Sequence, residues 1–350
     1  AAYYDYELTK QTYQDVKDAG FNIAIYNGEL DYSTQENIRI AGICEELGLK
    51  FIGHNPYYAS HAERVKAIKD AFGNSSTYLG EYLADEPNAS TFPDHGNFVK
   101  EFMKEIPDKE VYINLFPMYA KTAQTGSVNY EDHVADYLDI IPTKSVSFDF
   151  YGLKTRAELK LDYYRNLDLV RDLTFYERKP FWVITQAGPI GTDTIDPTEE
   201  EQRWTVWSNL AMGSKGISYF TYYTPVPEAG LGASEYMLRR DGSKRDMYYY
   251  IQRINADINT IGKKLLHCHA DGCIMSSVSL PLHQNDGKGR TIYGPILKVS
   301  AADPTKSFFV GCFRDARVSE NGDNYKGYKA MVVSKFHNRD ISADLKIADS

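Results

Sequence analysis

The chain has 350 residues, of which 43% are hydrophobic and 25% are charged, so it has the composition of an ordinary globular protein with ample material for a core. The formal net charge of −9 argues against a nucleic acid or an anionic membrane surface as a partner, and no apolar run is long enough to span a bilayer. The sequence starts at Ala1 without a Met or a signal peptide, and we expect the mature or trimmed form of an extracellular or periplasmic protein.

The 28 tyrosines are a high share for this length. Tyrosine offers a flat apolar face to a sugar ring and a hydroxyl to its polar rim, which favours a carbohydrate ligand, although tyrosine is also a common strand residue. The cysteines form no dense disulfide framework and leave the redox compartment undecided. They are Cys44, Cys268, Cys273 and Cys312.

Helices and short apolar strands alternate along most of the chain. Helical periodicity predicts helices over 9–19, 33–47, 61–72, 93–106, 130–140, 156–172 and 198–212. Strands are predicted to start at Phe21, Lys50, Leu79, Val111, Ser145, Phe181 and Gly216, which is one about every 30 residues, the length of a βα unit. For the last of these helices, Asp196 is the predicted cap and Pro197 the first helical residue.

Seven strands between Phe21 and Tyr223 predict a (β/α)8 TIM barrel. A doubly wound sheet is the alternative, but it should show a glycine-rich phosphate turn after an early strand, and none is found. The first barrel strand is then either 1–6 or trimmed away, which makes 79–84 the fourth strand. A long helix over 246–266 ends the barrel, predicted as residues 1–265. Over 266–350, short strands separated by turn residues predict an antiparallel β-sandwich that is incomplete at Ser350.

The strand 79–84 leads directly into two adjacent carboxylates, Asp85 and Glu86, before Pro87 ends it. Pro87 predicts an extended backbone at Glu86. In a barrel of this kind, chemistry takes place at the carboxyl ends of the strands. Hydrolysis of a glycosidic bond needs a proton donor and a second group that attacks or stabilises the sugar cation. We predict Glu86 as the donor, because the charge of Asp85 raises its pKa.

Four segments in this order resemble the glycoside hydrolase barrels of clan A type found in gut bacterial polysaccharide degraders, which often carry a C-terminal β-sandwich. They are Asp-Glu-Pro at 85–87, Asp-x-Tyr at 149–151, FWVITQ at 181–186 and KGISYFTYYTP from Lys215. The resemblance covers about residues 1 to 265. It implies that Glu86 is the acid/base and that Asp85 replaces the Asn that usually precedes it.

The chain departs from the clan A pattern at the nucleophile. The family holds a Glu at the end of strand seven, where this chain has Gln186, and an amide cannot form a glycosyl ester. Asp149 and Glu29 are the candidate replacements. Alternatively, the Asp85-Glu86 pair resembles that of hexosaminidases in which the 2-acetamido group of the substrate attacks. In that case Tyr151 or Tyr222 is expected to hold the acetamido oxygen.

Other polar residues near strand ends are candidate sugar contacts, namely His54, Asn55, Asn114, Tyr119 and Gln186 itself. Trp204 and Trp207 lie three apart on a helix and are predicted to belong to the outer core. The segment 267–273, HCHADGC, has zinc-type ligands, but its alternating side chains and its place at the domain junction argue against one site.

We therefore predict a glycoside hydrolase that acts on an oligo- or polysaccharide. The alternatives are a substrate-assisted hexosaminidase and a non-catalytic glycan-binding barrel, with a metal-dependent hydrolase third. We expect no metal and no cofactor, since the sequence has no phosphate loop, no nucleophile elbow and no HxH motif of metal-dependent amidohydrolases. The sequence does not decide the sugar, the linkage or the oligomeric state.

Overall fold

A computed structural model of the protein describes residues 8–26, 33–56, 58–154, 162–225, 234–275, 296–301, 308–315, 328–334 and 343–347. None of the helices in these ranges combines the length and apolarity needed to cross a bilayer.

A seven-stranded parallel sheet forms the centre of the described structure, with its strands in chain order. The strands are β1 (Ile23–Ile25), β2 (Lys50–Gly53), β3 (Tyr78–Asp85), β4 (Glu110–Leu115), β5 (Val146–Asp149), β6 (Phe181–Gln186) and β7 (Gly216–Phe220). The prediction of an α/β fold with a parallel barrel-like sheet is confirmed. The strand predicted over 1–6 lies outside the described residues, so β3 is the third described strand.

Helices follow the strands and cover the outer face of the sheet. They are α1 (Lys10–Asp18), α2 (Thr34–Leu47), α3 (His61–Phe72), α4 (Phe92–Glu105), α5 (Thr122–Thr125), α6 (Tyr130–Ile140), α7 (Tyr163–Tyr176), α8 (Glu199–Ala211) and α9 (Asp246–Leu265). The helix predicted over 156–172 begins later in the structure, at Tyr163, and residues 155–161 lie outside the described part.

The predicted start of α8 was wrong by two residues. Thr198 is the cap: its hydroxyl accepts from the Glu201 N–H, and the Glu201 carboxylate accepts from the Thr198 N–H. Asp196 instead forms an ion pair with Arg245. A capping box satisfies two backbone N–H groups, which explains why it prevails over the Asp-Pro start.

Side chains alternate between the two faces of the sheet, as the strand period of two requires. On β2 and β4, Phe51 and Ile113 belong to the main core between sheet and helices, whereas Ile52 and Tyr112 belong to a separate cluster inside the sheet with Tyr82. Trp204 is 6% exposed and packs against the rings of α7, as its predicted place in the outer core requires.

Beyond α9 the described strands are antiparallel. They are β8 (Cys268–Met275), β9 (Ile296–Ala301), β10 (Phe308–Asp315), β11 (Tyr328–Ser334) and β12 (Ala343–Ile347), and they form one sheet of order β11-β10-β8 and a second of order β12-β9. The HCHADGC segment lies mostly in β8. The first sheet packs on α8, where the Trp204 indole N–H donates to the Ser334 carbonyl at 2.8 Å. That the two sheets stack as a sandwich stays a prediction.

Candidate active site

A cavity of about 620 Å³ is lined by residues at the carboxyl ends of the strands, by side chains from inside the sheet and by residues of α1 and α9. Three carboxylates lie in its wall, at the ends of β3 and β5: Asp85, Glu86 and Asp149. Lys215, the one cation among the described residues of the wall, lies at the amino end of β7 and donates to backbone carbonyls. The acidic group therefore has no cationic partner in the described part of the cavity.

A sharp backbone turn at the end of β3 directs Glu86 into the cavity. Glu86 has a φ of 46°, in the left-handed region, so the extended backbone predicted from Pro87 was wrong. The Glu86 N–H donates to the Asn114 carbonyl at 2.8 Å, which ties this turn to β4. A left-handed conformation costs a non-glycine residue about 1–2 kcal/mol, and such strain is typical of functional positions.

Asn114 joins the carboxylates of two strands. Its Nδ2 donates to Asp85 Oδ1 at 3.0 Å and to Asp149 Oδ1 at 2.9 Å, and its Oδ1 accepts from the Ser147 hydroxyl at 3.1 Å. Sheet register explains the arrangement, because Asp85 pairs with Asn114 and Asn114 pairs with Ser147 on adjacent strands. Both hydrogens of the Asn114 amide are donated to these carboxyls. Asn114 therefore holds the carboxyl cluster together, and its predicted role as a sugar contact has no support in this geometry.

Glu86 and Asp149 are hydrogen-bonded to each other. A carboxylate is only an acceptor, so one of the two must carry a proton. Burial, and then the charges of Glu86 and Asp85, raise the pKa of Asp149 well above its usual range. Asp149 is 2% exposed, whereas Glu86 is only half-buried, so Asp149 holds the proton and donates to Glu86.

Glu86 itself titrates near neutrality. Burial first, and the charge of Asp85 second, raise its pKa to about 7, while the hydrogen bond from Asp149 opposes them. Asp85 is accessible from the cavity but surrounded by protein on most sides, and desolvation raises its pKa, opposed by hydrogen bonds from Asn114 and Tyr82. A carboxyl with a pKa near 7 at the end of a barrel strand is suited to general acid catalysis.

Aromatic rings form the remainder of the wall near the cluster. Tyr151 follows β5 and lies 5.8 Å, centroid to centroid, from Phe220 at the end of β7. Tyr222 also lines the cavity and meets Phe21 edge to face at 6.3 Å. These flat faces beside acidic groups are a suitable surface for a sugar ring.

Gln186 does not line the described cavity, in contrast to its predicted role as a sugar contact. It is 1% exposed, its Oε1 accepts from the Leu153 N–H at 3.1 Å, and its Nε2 donates to the Ile195 carbonyl at 2.9 Å. Its amide therefore holds two loops together behind the cavity wall and does not contact the cavity. The prediction of Gln186 as a sugar contact has no support in this geometry.

His54 and Asn55, at the end of β2, are buried and do not line the described cavity. The Asn55 backbone N–H and side-chain amide both donate to the Glu81 carboxylate at 2.8 Å, and His54 packs against Tyr82 with ring centroids 5.7 Å apart. Tyr119 packs on Phe150 with 39% of its surface exposed. Glu29 lies outside the described residues.

Sequence reasoning missed the buried carboxylate Glu81. It is fully buried, forms an ion pair with Arg64 of α3 at 2.7 Å, and also accepts from the Tyr78 hydroxyl and Asn55. The signal was available in part, since Glu81 is a charge in the middle of an apolar strand, which requires a buried partner. Among the described residues, no group of three His, Cys, Asp or Glu side chains could hold a metal ion.

Residues 92–261 match the model of a glycoside hydrolase family, family 42, described as beta-galactosidase. This part of the chain is similar to a glycoside hydrolase barrel. The predicted resemblance to clan A glycoside hydrolase barrels is thereby confirmed. The matched segment contains Asn114, Asp149 and Gln186 and begins after Asp85 and Glu86. No curated protein matches the chain.

Several solved structures are similar to this chain in fold. The beta-galactosidase of Marinomonas ef1 is 12% identical with a TM-score of 0.49, over 73% of this chain and 57% of that one. The GH2 beta-galacturonidase of Eisenbergiella tayi is 12% identical with a TM-score of 0.49, over 71% and 48%. Beta-glucuronidase 2 of Bacteroides uniformis is 11% identical with a TM-score of 0.47, over 93% and 44%. The chain thus spans about half the length of these proteins.

Proposed function

We propose that this chain hydrolyses O-glycosidic bonds of an oligo- or polysaccharide, with Glu86 as the general acid. The observation that carries the proposal is the position of Glu86 at the end of β3, in an aromatic cavity beside the Asp85 and Asp149 carboxyls that Asn114 links. Burial and the charge of Asp85 raise the pKa of Glu86 to about 7 there. An acid with this pKa is still protonated in weakly acidic to neutral solution and can give its proton to the leaving oxygen.

Asp149 acts as the partner of Glu86 in this proposal. Because it donates a hydrogen bond to Glu86, it stabilises the carboxylate that forms once the proton has left. Two arguments disfavour Asp149 as the nucleophile. A protonated carboxyl is a poor nucleophile, and two hydrogen-bonded carboxyls lie closer together than the about 5–5.5 Å of a retaining pair or the about 6.5–9.5 Å of an inverting pair. The attacking group is then Glu29, which lies outside the described residues, or the 2-acetamido group of the substrate itself.

The hexosaminidase alternative gains one supporting observation. The carboxylates in the described cavity wall, Asp85, Glu86 and Asp149, all lie on one side of the cavity. A substrate whose own 2-acetamido group attacks needs no carboxylate on the opposite side. In that version Asp85, which is accessible beside Glu86, orients the acetamido group, and Tyr151 is near enough to assist.

A panel of aryl glycosides, with and without 2-acetamido groups, tests the proposal. We expect turnover of at least one substrate, and a loss of about 10²–10⁴-fold in Glu86→Gln on a natural glycan. Glu110→Gln is a matched control, because burial also raises the pKa of Glu110 to about 7, but it lies at the amino end of β4. Cleavage restricted to N-acetylated sugars, with inhibition by a thiazoline, would select the hexosaminidase version. Binding without turnover would select the glycan-binding barrel.

A further inference from the structure

The orientation of the Asn114 amide is fixed by its neighbours. The Ser147 hydroxyl donates its only hydrogen to Asn114 Oδ1, so the contact of 2.6 Å between Ser147 and Tyr112 must have the Tyr112 hydroxyl as donor. A flipped amide would place its oxygen against the two carboxyls. The chain Tyr112, Ser147, Asn114 therefore directs both amide hydrogens at Asp85 and Asp149.

This contact also decides which oxygen of Asp149 carries the proton. Asp149 Oδ1 accepts from Asn114 at 2.9 Å, so its proton resides on Oδ2, which is the oxygen left to donate to Glu86. The same amide donates to Asp85, and a donated hydrogen bond favours the ionised form of a carboxyl. The Asn114 side chain thus donates to both of the carboxyls beside Glu86, those of Asp85 and Asp149.

We propose that Asn114 is a positioning residue, which orients the Asp149 proton towards Glu86 and keeps Asp85 ionised beside it. The proposal rests on the function proposed for Glu86 and assigns Asn114 no contact with substrate. In the part of the chain that the structure describes, the other titratable groups that face the cluster are phenols with raised pKa values, which stay neutral over the working pH range. They are Tyr82 of β3, Tyr112 of β4, Tyr119, Tyr130 of α6 and Tyr151.

The sign of the effect follows from the contacts. Without the Asn114 amide, Asp149 is free to turn away from Glu86, and Glu86 loses the hydrogen bond that lowers its pKa. Asp85 also loses a contact that lowers its pKa. Asn114→Leu, which keeps the volume and removes the donors, should therefore move the protonation of Glu86 and of Asp85 to higher pH.

The test is a pH titration of the carboxyl C=O stretch by infrared spectroscopy, with the Glu86 band assigned by difference from Glu86→Gln. We expect a higher midpoint for the Glu86 band in Asn114→Leu. Asn209→Leu is the matched control: Asn209 is also fully buried, but it bonds to the Tyr163 hydroxyl on α7, and its loss should leave the midpoint unchanged.

Ser147→Ala is a milder second variant, because it leaves the Asn114 amide in place and removes only the hydroxyl that orients it. It should shift the midpoint of the Glu86 band in the same direction by a smaller amount. If Asn114→Leu does not fold, the result for Ser147→Ala decides whether the proposal holds. An unchanged midpoint in the folded variants would overturn the proposal. Since the titration needs no turnover, it can succeed even if no glycoside is cleaved, so this proposal and the proposed function fail independently.

Discussion

Asp149 donates a hydrogen bond to Glu86 in the cavity, and the two acidic side chains therefore hold a proton between them. Asp149 can therefore act as a hydrogen-bond donor or as a nucleophile, and variants of Asp149 distinguish these two roles. An Asn in place of Asp149 keeps the contacts with Glu86 and Asn114, since its amide N–H can donate to Glu86 while its amide oxygen accepts from Asn114.

We expect Asp149→Asn to retain activity within about tenfold of wild type and Asp149→Ala to lose about 10²-fold or more. Initial rates on one good substrate, with added azide for each variant, provide the measurement. For a nucleophile, both variants would be equally inactive, and azide would restore turnover to the alanine variant. That pattern would return Asp149 to the role that the sequence suggested.

Asp85→Asn should move the alkaline limb of the pH profile of kcat/KM to lower pH. The wild-type limb is expected near pH 7, where Glu86 loses its proton. The charge of Asp85 is the second cause, after burial, of the raised pKa of Glu86, so removing that charge lowers the pKa. An unchanged limb would mean that Glu86 does not govern it.

Stability should fall as the pH rises from about 4.5 to about 7, because Glu86 binds its proton more tightly in the folded state than in the unfolded state. The contribution is complete below the unfolded pKa and lost through the folded one. Glu86→Gln should remove part of this decline, about 1 kcal/mol after allowance for solvent screening. Glu110→Gln should remove a separate, additive part. Urea unfolding at pH 4.5 and pH 8 measures both.

Arg64→Met should destabilise the fold strongly, because it leaves the fully buried Glu81 carboxylate without its cation. Breaking a buried pair in this way costs about 3–5 kcal/mol. Lys10→Met is the control: it breaks an ion pair whose side chains are 61% and 62% exposed, and such pairs contribute about 0–1 kcal/mol. Equal losses in urea unfolding would show that the Glu81 network does not depend on Arg64.

The sequence predicted where the acids lie but not what they contact. The strand that ends in Asp85 and Glu86, and the strand that ends in Asp149, were recognisable from apolar runs that stop at carboxylates. The bridge through Asn114 was not, because it depends on the register of β3, β4 and β5, and parallel strands joined through helices carry no local signal for register. The contacts of the Gln186 side chain could not be predicted either, because Leu153 lies 33 residues away in the chain and Ile195 lies in the irregular segment between β6 and α8.

Gln186→Glu is the variant that restores the clan A pattern at the end of β6, and it should not create a nucleophile. The Gln186 amide donates to the Ile195 carbonyl at 2.9 Å, so a carboxylate there would face a carbonyl oxygen in a site that is 1% exposed. An unpaired buried acceptor costs about 1–3 kcal/mol, and a charged one costs more. We expect lower stability with no gain in kcat, and Gln186→Leu, which removes the same contacts without charge, should destabilise less at pH 8. Increased turnover in Gln186→Glu, or a trapped glycosyl ester detected by mass spectrometry, would show that the side chain reaches the substrate, and would contradict the placement of Gln186 behind the wall.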